Sequence, residues 1–188
     1  MIEVEKKFPV EDLEKLRQQL SEMAPDVAWV TLSQSDEYFN HRQLAFDKQD
    51  IALRIRVVAD RHILTYKGPN QDANTKIRDE VEVDLSAEDA EKVVQIFQGI
   101  GMHSVAKVNK QRENLTVRWE ATNGEAASVT VSLDTVAEVG NFVELEQVVS
   151  TRDEVPQSVA TLESLASHLG LSNPTTTSYL EMLLDSTA

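Results

Sequence analysis

Charged residues two positions apart recur along the sequence, and their types suit the binding of metal ions and phosphate groups. Glu3 and Glu5 form an acidic pair, and Arg54 and Arg56 form a basic pair. Successive side chains of a β-strand point to opposite sides, so residues two apart share a face. Like charges on one face repel each other, and a ligand of opposite sign relieves that repulsion. Carboxylates suit Mg²⁺ or Mn²⁺, and arginine or lysine pairs suit phosphate.

The same spacing recurs in several other segments of the chain. The further positions of this kind are Lys7, Lys76, Arg78, Glu80, Glu82, Asp84, Lys110, Arg112, Asp134, Glu144 and Glu146. For any single strand, the simplest interpretation is a charged face in contact with solvent. The charges are sorted by sign, however, with carboxylates on the first and last strands and cations on the middle ones. This sorting favours a shared interior if the sheet closes on itself.

Hydrophobic periodicity predicts the elements that must position these residues. Strands are expected at about 1–8, 27–32, 35–41, 51–58, 62–67, 76–85, 104–120, 127–137 and 141–149. Helices are expected from Pro9 to about 25, from Ser86 to about 99, from Pro156 to about 170 and over 178–185. An Asn123-Gly124 turn indicates a hairpin between the two longest strands. Eight or nine strands with short turns predict one α+β domain over 1–188, with an antiparallel barrel and flanking helices.

Composition narrows the classes of partner. The net charge is −14, with 32 acidic and 18 basic residues, which disfavours nucleic acid and anionic membranes as partners. The chain has no cysteine, so disulfides and thiolate metal sites are excluded. Its four histidines show no ligand spacing. No apolar run reaches the ~18 residues of a membrane span, and charge begins at Glu3, so a cytoplasmic protein is expected.

The segment Glu3-Val-Glu-Lys-Lys7 fits the Glu-x-Glu-x-Lys motif of the CYTH, or triphosphate tunnel metalloenzyme, superfamily. Further motifs follow in the family's order at 36–39, 52–56, 64–69, 78–82, 110–112, 133–136 and 140–146. The sequence therefore resembles this superfamily over nearly its whole length. Its members include class IV adenylate cyclases, thiamine triphosphatases and inorganic tripolyphosphatases.

The resemblance implies an eight-stranded antiparallel barrel that forms a tunnel, with one or two Mg²⁺ or Mn²⁺ ions. It assigns metal binding to Glu3, Glu5, Asp134, Glu144 and Glu146. It assigns phosphate binding to Arg54, Arg56, Lys67, Arg78, Lys110 and Arg112. Catalytic roles are expected for Lys7, Arg56 and Lys67, with Lys7 near the reacting phosphate and helping to activate water. Glu80 and Glu82 are expected to orient the cations.

Three functions stay open at this stage. The first is a metal-dependent hydrolase of thiamine triphosphate, tripolyphosphate or a nucleoside triphosphate. The second is a class IV adenylate cyclase, which segment 65–69 resembles closely, and the third is a non-catalytic polyphosphate- or nucleotide-binding barrel. The partner is expected to be a small triphosphate, and the protein a monomer or homodimer. Asn40 stands where many relatives carry Asp, and no motif identifies an organic group on the substrate.

Overall fold

The computed structural model describes residues 1–120, 124 and 126–186. The strands are β1 (Ile2–Pro9), β2 (Val30–His41), β3 (Ala52–Val58), β4 (Arg61–Lys67), β5 (Lys76–Leu85), β6 (Met102–Glu120), β7 (Ala126–Val136) and β8 (Gly140–Val149). The α-helices are α1 (Leu13–Met23), α2 (Ala87–Gly99), α3 (Val155–His168) and α4 (Tyr179–Ser186). Two 3₁₀ turns lie at Phe46–Gln49 and Arg152–Glu154.

The strands close into a barrel in the order β1-β5-β4-β3-β2-β6-β7-β8, and every neighbouring pair is antiparallel. Strand β1 closes the ring, because it pairs with β5 on one side and with β8 on the other. The predicted eight-stranded antiparallel barrel with flanking helices is therefore confirmed.

The apolar faces of the strands point outwards, towards the helices. Helices α1 and α3 cover β1, β7 and β8, and the core between these layers includes Val4, Leu20, Val131, Leu145 and Leu162. Residues 2–8 of β1 are all buried, because the helices cover the outer face and the barrel encloses the inner one. Burial of the apolar face stabilises this closure by about 25 cal/mol per Å² removed from water.

Two further helices pack on other parts of the barrel. Helix α2 packs its Ala90 against Phe39 and Ile55 on the outer face of β2 and β3. Helix α4 lies at one end of the barrel, where Tyr179 packs with Phe142. The segment before α4 is held by a bridge between Lys7 and Thr175. The charged inner face is thus enclosed on the side and at one end.

Local details differ from the sequence prediction at two places. Pro9 is the last residue of β1 and does not open a helix, because Asp12 caps α1 by accepting a hydrogen bond from Lys15 N at 3.0 Å. The strands predicted at 27–32 and 35–41 form the single strand β2, because its ladder with β6 runs from Val30 to His41 with one register shift, between Tyr38 and Phe39.

Other sequence predictions concern turns, caps and membrane spans. Ser86 caps α2 as predicted, accepting from Asp89 N at 3.0 Å. Asn123 of the predicted hairpin turn lies outside the described residues, whereas the strands that flank it pair from Glu120 and Ala126 onward. None of the helices in the described ranges is long and apolar enough to cross a membrane.

Candidate active site

The register of the ladders brings the charged residues onto one inner face. Glu5 lies opposite Lys76 on β5 and opposite Glu146 on β8. Lys67 on β4 lies opposite Glu80 on β5. Directly opposed residues of antiparallel strands point to the same side of the sheet. The alternation seen in the sequence is therefore the alternation between the inside and the outside of the barrel.

The inner face surrounds a cavity of about 340 Å³. Its lining includes every residue assigned above to metal, phosphate, catalysis or orientation, with the exception of Asp134. Asp134 is fully buried behind the lining and contacts Arg112 and Lys110. The 3₁₀ turn Phe46–Gln49 and α4 also contribute residues to the lining. This volume is typical of a site for a small molecule.

The carboxylates on β1 and β8 differ in how much positive charge surrounds them. Glu3 is neutralised by Lys67, whose Nζ donates to both of its oxygens at 2.6 Å. Glu5 is buried and its Oε1 accepts no hydrogen bond; the nearest cations are Lys76 Nζ at 3.7 Å and Lys7 Nζ at 3.8 Å. Burial, together with neighbouring Glu3 and Glu5, raises the pKa of Glu146 to about 8.

These carboxylates fit a divalent cation by their chemistry. The buried oxygen of Glu5 has no hydrogen-bond donor and can accept a ligand, and the raised pKa of Glu146 indicates too little positive charge around that carboxyl group. Hard oxygen donors are the ligands that Mg²⁺ and Mn²⁺ take. Within the described residues, no three carboxylate or histidine side chains already stand together in a ligand arrangement. Binding of an ion would therefore require a change in the conformation of these side chains.

Asp134 and Glu144, the other two acidic residues of the predicted metal set, form ion pairs with Arg112. Arg112 Nε donates to Asp134 Oδ1 at 2.6 Å, and Arg112 Nη2 donates to both Asp134 and Glu144. Tyr179 donates its hydroxyl to Asp134 Oδ2 at 2.9 Å. Burial lowers the pKa of Arg112, but Glu144 and Asp134 outweigh it and raise that pKa well above its usual value. In this arrangement Asp134 holds Arg112 and Tyr179 in place.

Two arginines share a partner that the predicted site did not include. Arg56 donates to Asp36 through Nε and Nη2, both at 2.7 Å, and Arg54 Nη1 donates to it at 3.3 Å. Asp36 is only 1% exposed. Burial raises its pKa, but Arg54 and Arg56 outweigh burial and hold that pKa far below its usual range. Asp36 therefore orients both guanidinium groups towards the cavity.

Some donors on this side of the cavity have no protein partner. The Nε atoms of Arg54 and Arg78 are buried and form no hydrogen bond within the structure. Native proteins rarely leave such groups unpaired, and guanidinium donors suit phosphate oxygens in particular. Arg78 also donates through Nη2 to Asp50, which lies in the loop before β3, at 2.8 Å. These free donors favour an anionic ligand at this position.

Lys7 is surrounded by negative charge. Its Nζ lies 3.3 Å from Glu144 and 3.8 Å from Glu5, donates to Thr177 O, and sits 4.0 Å from the centre of the Tyr179 ring. Burial lowers the pKa of Lys7, but Glu5 and Glu144 outweigh it and raise the pKa. The side chain is therefore held as an ammonium.

The two glutamates expected to orient the cations differ in what they contact. Glu80 lies 3.2 Å from Lys67 Nζ, as expected for an orienting residue. Glu82 instead accepts a hydrogen bond from Thr65 Oγ1 at 2.9 Å.

The predicted site did not include Asp36, Asp50, Lys76 or Tyr179, which line the cavity or contact residues that do. Lys76 belonged to an alternating charged run, and Asp36 to one of the ordered motifs. Asp50 carried no sequence feature, because loop residues have no periodicity. The pKa of Lys76 is lowered to about 8, chiefly by burial, against the opposing effect of Glu5.

Comparison with known families matches the CYTH domain to residues 1–179. The chain belongs to the CYTH domain family. The protein of Methanocaldococcus jannaschii named "Putative adenylate cyclase MJ0240" is 34% identical over 184 residues, which cover 97% of this chain and 98% of that protein.

Solved structures are similar along the whole chain. The PH1819 protein of Pyrococcus horikoshii OT3 has a TM-score of 0.82 and 34% identity, and covers 97% of this chain and 98% of its own. A conserved hypothetical protein of Pyrococcus furiosus has a TM-score of 0.71 and 26% identity, and the match covers 96% of this chain and 99% of that protein. The resemblance found in the sequence is thereby confirmed. The CYTH superfamily comprises enzymes that use divalent cations and bind small triphosphates, adenylate cyclases and triphosphatases among them.

Proposed function

We propose that this protein is a metal-dependent triphosphatase that hydrolyses a small triphosphate inside the barrel. The observation that supports this most strongly is the opposition of charges across one cavity. In the ring order, β8 with Glu146 lies opposite β3 with Arg54 and Arg56. A triphosphate with a bound divalent cation has the same two-sided charge, negative on its oxygens and positive at the metal.

The proposed roles follow from the contacts of each group. Arg54, Arg56 and Arg78 bind the phosphates, and the free Nε atoms of Arg54 and Arg78 are donors available to phosphate oxygens. Glu3, Glu5 and Glu146 hold the divalent cation, which when bound neutralises phosphate oxygens and lowers the pKa of a water molecule. Our sequence assignment of Glu144 and Asp134 to the same ion stays a prediction, since both contact Arg112 here.

Hydrolysis of a triphosphate requires no covalent bond between the protein and the substrate. An oxygen of water bonds to phosphorus, the bond from phosphorus to the bridging oxygen breaks, and the leaving phosphate takes the electron pair. Charge builds up on the phosphate oxygens, so stabilisation by positioned cations supplies most of the acceleration. Lys7, held as an ammonium by Glu5 and Glu144, is placed to stabilise that charge.

Adenylate cyclase activity is the second candidate, favoured by the name of the Methanocaldococcus relative at 34% identity. In that reaction the ribose 3′ hydroxyl of ATP takes the place of water, attacks the α-phosphorus and releases pyrophosphate. The same cations would bind the triphosphate, so the two reactions differ in the attacking group and in which phosphorus it reaches.

Product analysis separates the candidates. The purified protein is incubated with Mg²⁺ or Mn²⁺ and, separately, with ATP, tripolyphosphate and thiamine triphosphate, and the products are resolved by anion-exchange chromatography. We expect orthophosphate from at least one of these compounds. Cyclic AMP with pyrophosphate as the main products would overturn the hydrolase proposal in favour of the cyclase. Binding of the triphosphates without turnover would support the non-catalytic barrel instead.

A further inference from the structure

Arg78 lies near the start of β5, and its side chain is only 6% exposed. Glu3 is directly opposite it on β1, but both oxygens of Glu3 accept hydrogen bonds from Lys67. The guanidinium of Arg78 donates to Asp50, from Nη2 to Oδ1 at 2.8 Å, while its Nε is buried without a hydrogen bond. An arginine side chain has several rotatable bonds, so a fixed partner is needed to hold its donors in one direction. Asp50 is such a partner.

Asp50 is itself held in a defined position. Its Oδ2 accepts from the backbone N–H of Asn70 at 3.1 Å, so each carboxylate oxygen has its own donor. Its backbone has a φ of 53°, in the left-handed region, which aspartate tolerates better than most residues. The next N–H, that of Ile51, donates to Phe46 O at 2.9 Å and links the end of the 3₁₀ turn to its start. Rotation of the carboxylate would break at least one of its two hydrogen bonds, although the side chain is 51% exposed.

Asn70 connects Asp50 to the backbone of β5. The Asn70 side chain accepts through Oδ1 from Ile77 N at 2.8 Å and from Gln71 N at 2.9 Å. Ile77 is the residue before Arg78 in the strand. The contacts therefore form a closed path from the guanidinium of Arg78, through Asp50 and Asn70, to the strand that carries Arg78. This path fixes both ends of one long side chain, so the loop between β2 and β3 acts directly on a residue of the lumen.

The two members of this ion pair differ in their surroundings. Asp50 is half exposed and contributes little packing, whereas Arg78 lines the cavity. Without Asp50, the guanidinium can turn within the cavity towards another carboxylate, and Glu3 lies directly opposite on β1. Loss of Asp50 should therefore change the direction of the Arg78 donors more than it changes the stability of the fold.

We propose that Asp50 is a positioning residue for phosphate binding, which holds the Arg78 guanidinium so that its free Nε can donate to a phosphate oxygen of the substrate. This inference rests on the proposed function and adds to it a residue that acts through Arg78 and does not itself touch the phosphates. Asp36 holds Arg54 and Arg56 in a similar way, but from a strand. Asp50 lies in a loop, so its effect depends on the hydrogen bonds that fix that loop.

The first test is Asp50→Asn, measured with a triphosphate that the wild-type protein hydrolyses. Asparagine tolerates the left-handed backbone at this position, but it replaces one carboxylate oxygen by an NH₂ group, which cannot accept from Arg78 or from Asn70 N. We expect KM to rise about tenfold with kcat within about twofold of wild type, because a displaced Arg78 loses its contact with phosphate in the ground state and the transition state alike. Urea unfolding in parallel should show a stability close to that of wild type.

Asp79→Asn is the matched control. Asp79 follows Arg78 in β5, so its side chain points to the outer face, and its Oδ2 accepts from Arg152 Nη2 at 2.8 Å. Its side chain is 59% exposed, close to the value for Asp50, and it does not line the cavity. The control should keep the wild-type KM. An unchanged KM in Asp50→Asn, or an equal rise in the control, would overturn the inference, and so would a lower KM, since Asp50 would then compete with phosphate for Arg78.

A double variant tests whether Asp50 acts through Arg78. Arg78→Ala removes the guanidinium and should raise KM at least as much as Asp50→Asn does. In that background, Asp50→Asn should change KM by less than about twofold, because two residues that act through one contact do not have additive effects. A second rise of about tenfold in the double variant would overturn the inference, because Asp50 would then act without Arg78.

Calorimetry distinguishes failure of this inference from failure of the proposed function. Binding of tripolyphosphate is compared in wild type, Asp50→Asn and Asp79→Asn, with a chelator present to prevent turnover. Affinity that is about tenfold weaker in Asp50→Asn alone would support the inference even if no triphosphate is hydrolysed, in which case the hydrolase proposal alone fails. Hydrolysis by wild type, with equal affinity in all three proteins, would support the proposed function and overturn the inference. Neither binding nor hydrolysis by wild type would overturn both.

Discussion

At the scale of single residues, Asp36 pairs with both Arg54 and Arg56, so one carboxylate positions two guanidinium groups of the cavity. Replacement of one member of a buried charged cluster leaves the others without a partner. We therefore expect Asp36→Asn to lower kcat/KM by about tenfold to a hundredfold through misplaced guanidinium groups, and to reduce the free energy of unfolding by about 3 kcal/mol. Steady-state kinetics and urea unfolding measure the two effects.

The matched control for Asp36 is Asp84→Asn. Asp84 also pairs with an arginine, Arg61, but both side chains are largely exposed. An exposed pair contributes about 0–1 kcal/mol. Wild-type kinetics and stability in Asp36→Asn would show that the arginines find their positions without it.

Replacement of Arg56 should lower the activity much more than it lowers the stability of the fold. It lines the cavity, and Arg54 remains beside Asp36 when Arg56 is removed. Arg56→Ala is expected to lower kcat by roughly 10²- to 10³-fold, as is typical for the loss of one charge-stabilising donor. Arg61→Ala, an exposed arginine outside the cavity lining, is the control. A collapse of stability in Arg56→Ala would instead assign Arg56 a structural role.

At the scale of elements, α4 depends on the barrel for its existence. Helices of fewer than about 12 residues are marginal in water without tertiary contacts, and α4 has eight residues. Its anchor is Tyr179, whose ring packs on Phe142 and lies near Lys7 and Lys110, and whose hydroxyl donates to Asp134. The same side chain therefore closes one end of the barrel and contacts the charged lumen.

Tyr179→Ala should undock α4. We expect amide hydrogen exchange to become faster in residues 179–186 and to stay at its wild-type rate in α2, which packs elsewhere on the barrel. Tyr179→Phe is the matched variant, because it keeps the ring and removes only the hydroxyl, at a cost of about 1 kcal/mol. Equal exchange in the alanine variant and wild type would show that Leu180 and Leu183 hold the helix without the anchor.

At the scale of the whole molecule, the cavity accounts for the contrast between an acidic protein and an anionic substrate. The net charge is −14 with 18 basic residues, and eight of these line the cavity. These eight are Lys7, Arg54, Arg56, Lys67, Lys76, Arg78, Lys110 and Arg112. Among the described residues the lining also includes nine acidic residues, so affinity for a polyanion depends on where the eight enclosed cations lie and not on the net charge of the chain.

The stability of the metal-free protein should depend on pH through Glu146. Its pKa is raised from 4.5 to about 8 in the folded state, so the folded protein binds this proton more tightly than the unfolded chain. Stability from this group is therefore present below pH 4.5 and is lost as the pH rises to about 8. Glu146→Gln should flatten this part of the profile, as measured by urea unfolding of protein treated with a chelator.

A bound divalent cation should reverse this loss of stability at higher pH. Mg²⁺ or Mn²⁺ stabilises the folded state in proportion to its affinity, and it binds the deprotonated carboxylate. The rise in Tm on adding metal should be larger at pH 8 than at pH 5, and smaller in Glu146→Gln. A metal-induced rise that is the same at both pH values would argue that Glu146 is not a ligand.

The sequence by itself determined the faces of the strands and the family. Glu3, Glu5 and Lys7 lie on one face because a strand alternates its side chains with a period of two, and that period is local information. The alternating run of β5 was therefore predicted to the residue, whereas the boundary at Pro9 was wrong because a strand end and a helix start compete for the same few residues.

Only the tertiary structure decided that the charged face points inwards and which charges meet. The closing pairs join β1 to β5 and to β8, between residues as far apart in sequence as Ile2 and Val149, and no local pattern records such a contact. The same holds for Asp36 with Arg56 and for Asp134 with Arg112. Each depends on the ring order and shear of the barrel, which arise from packing of the whole chain.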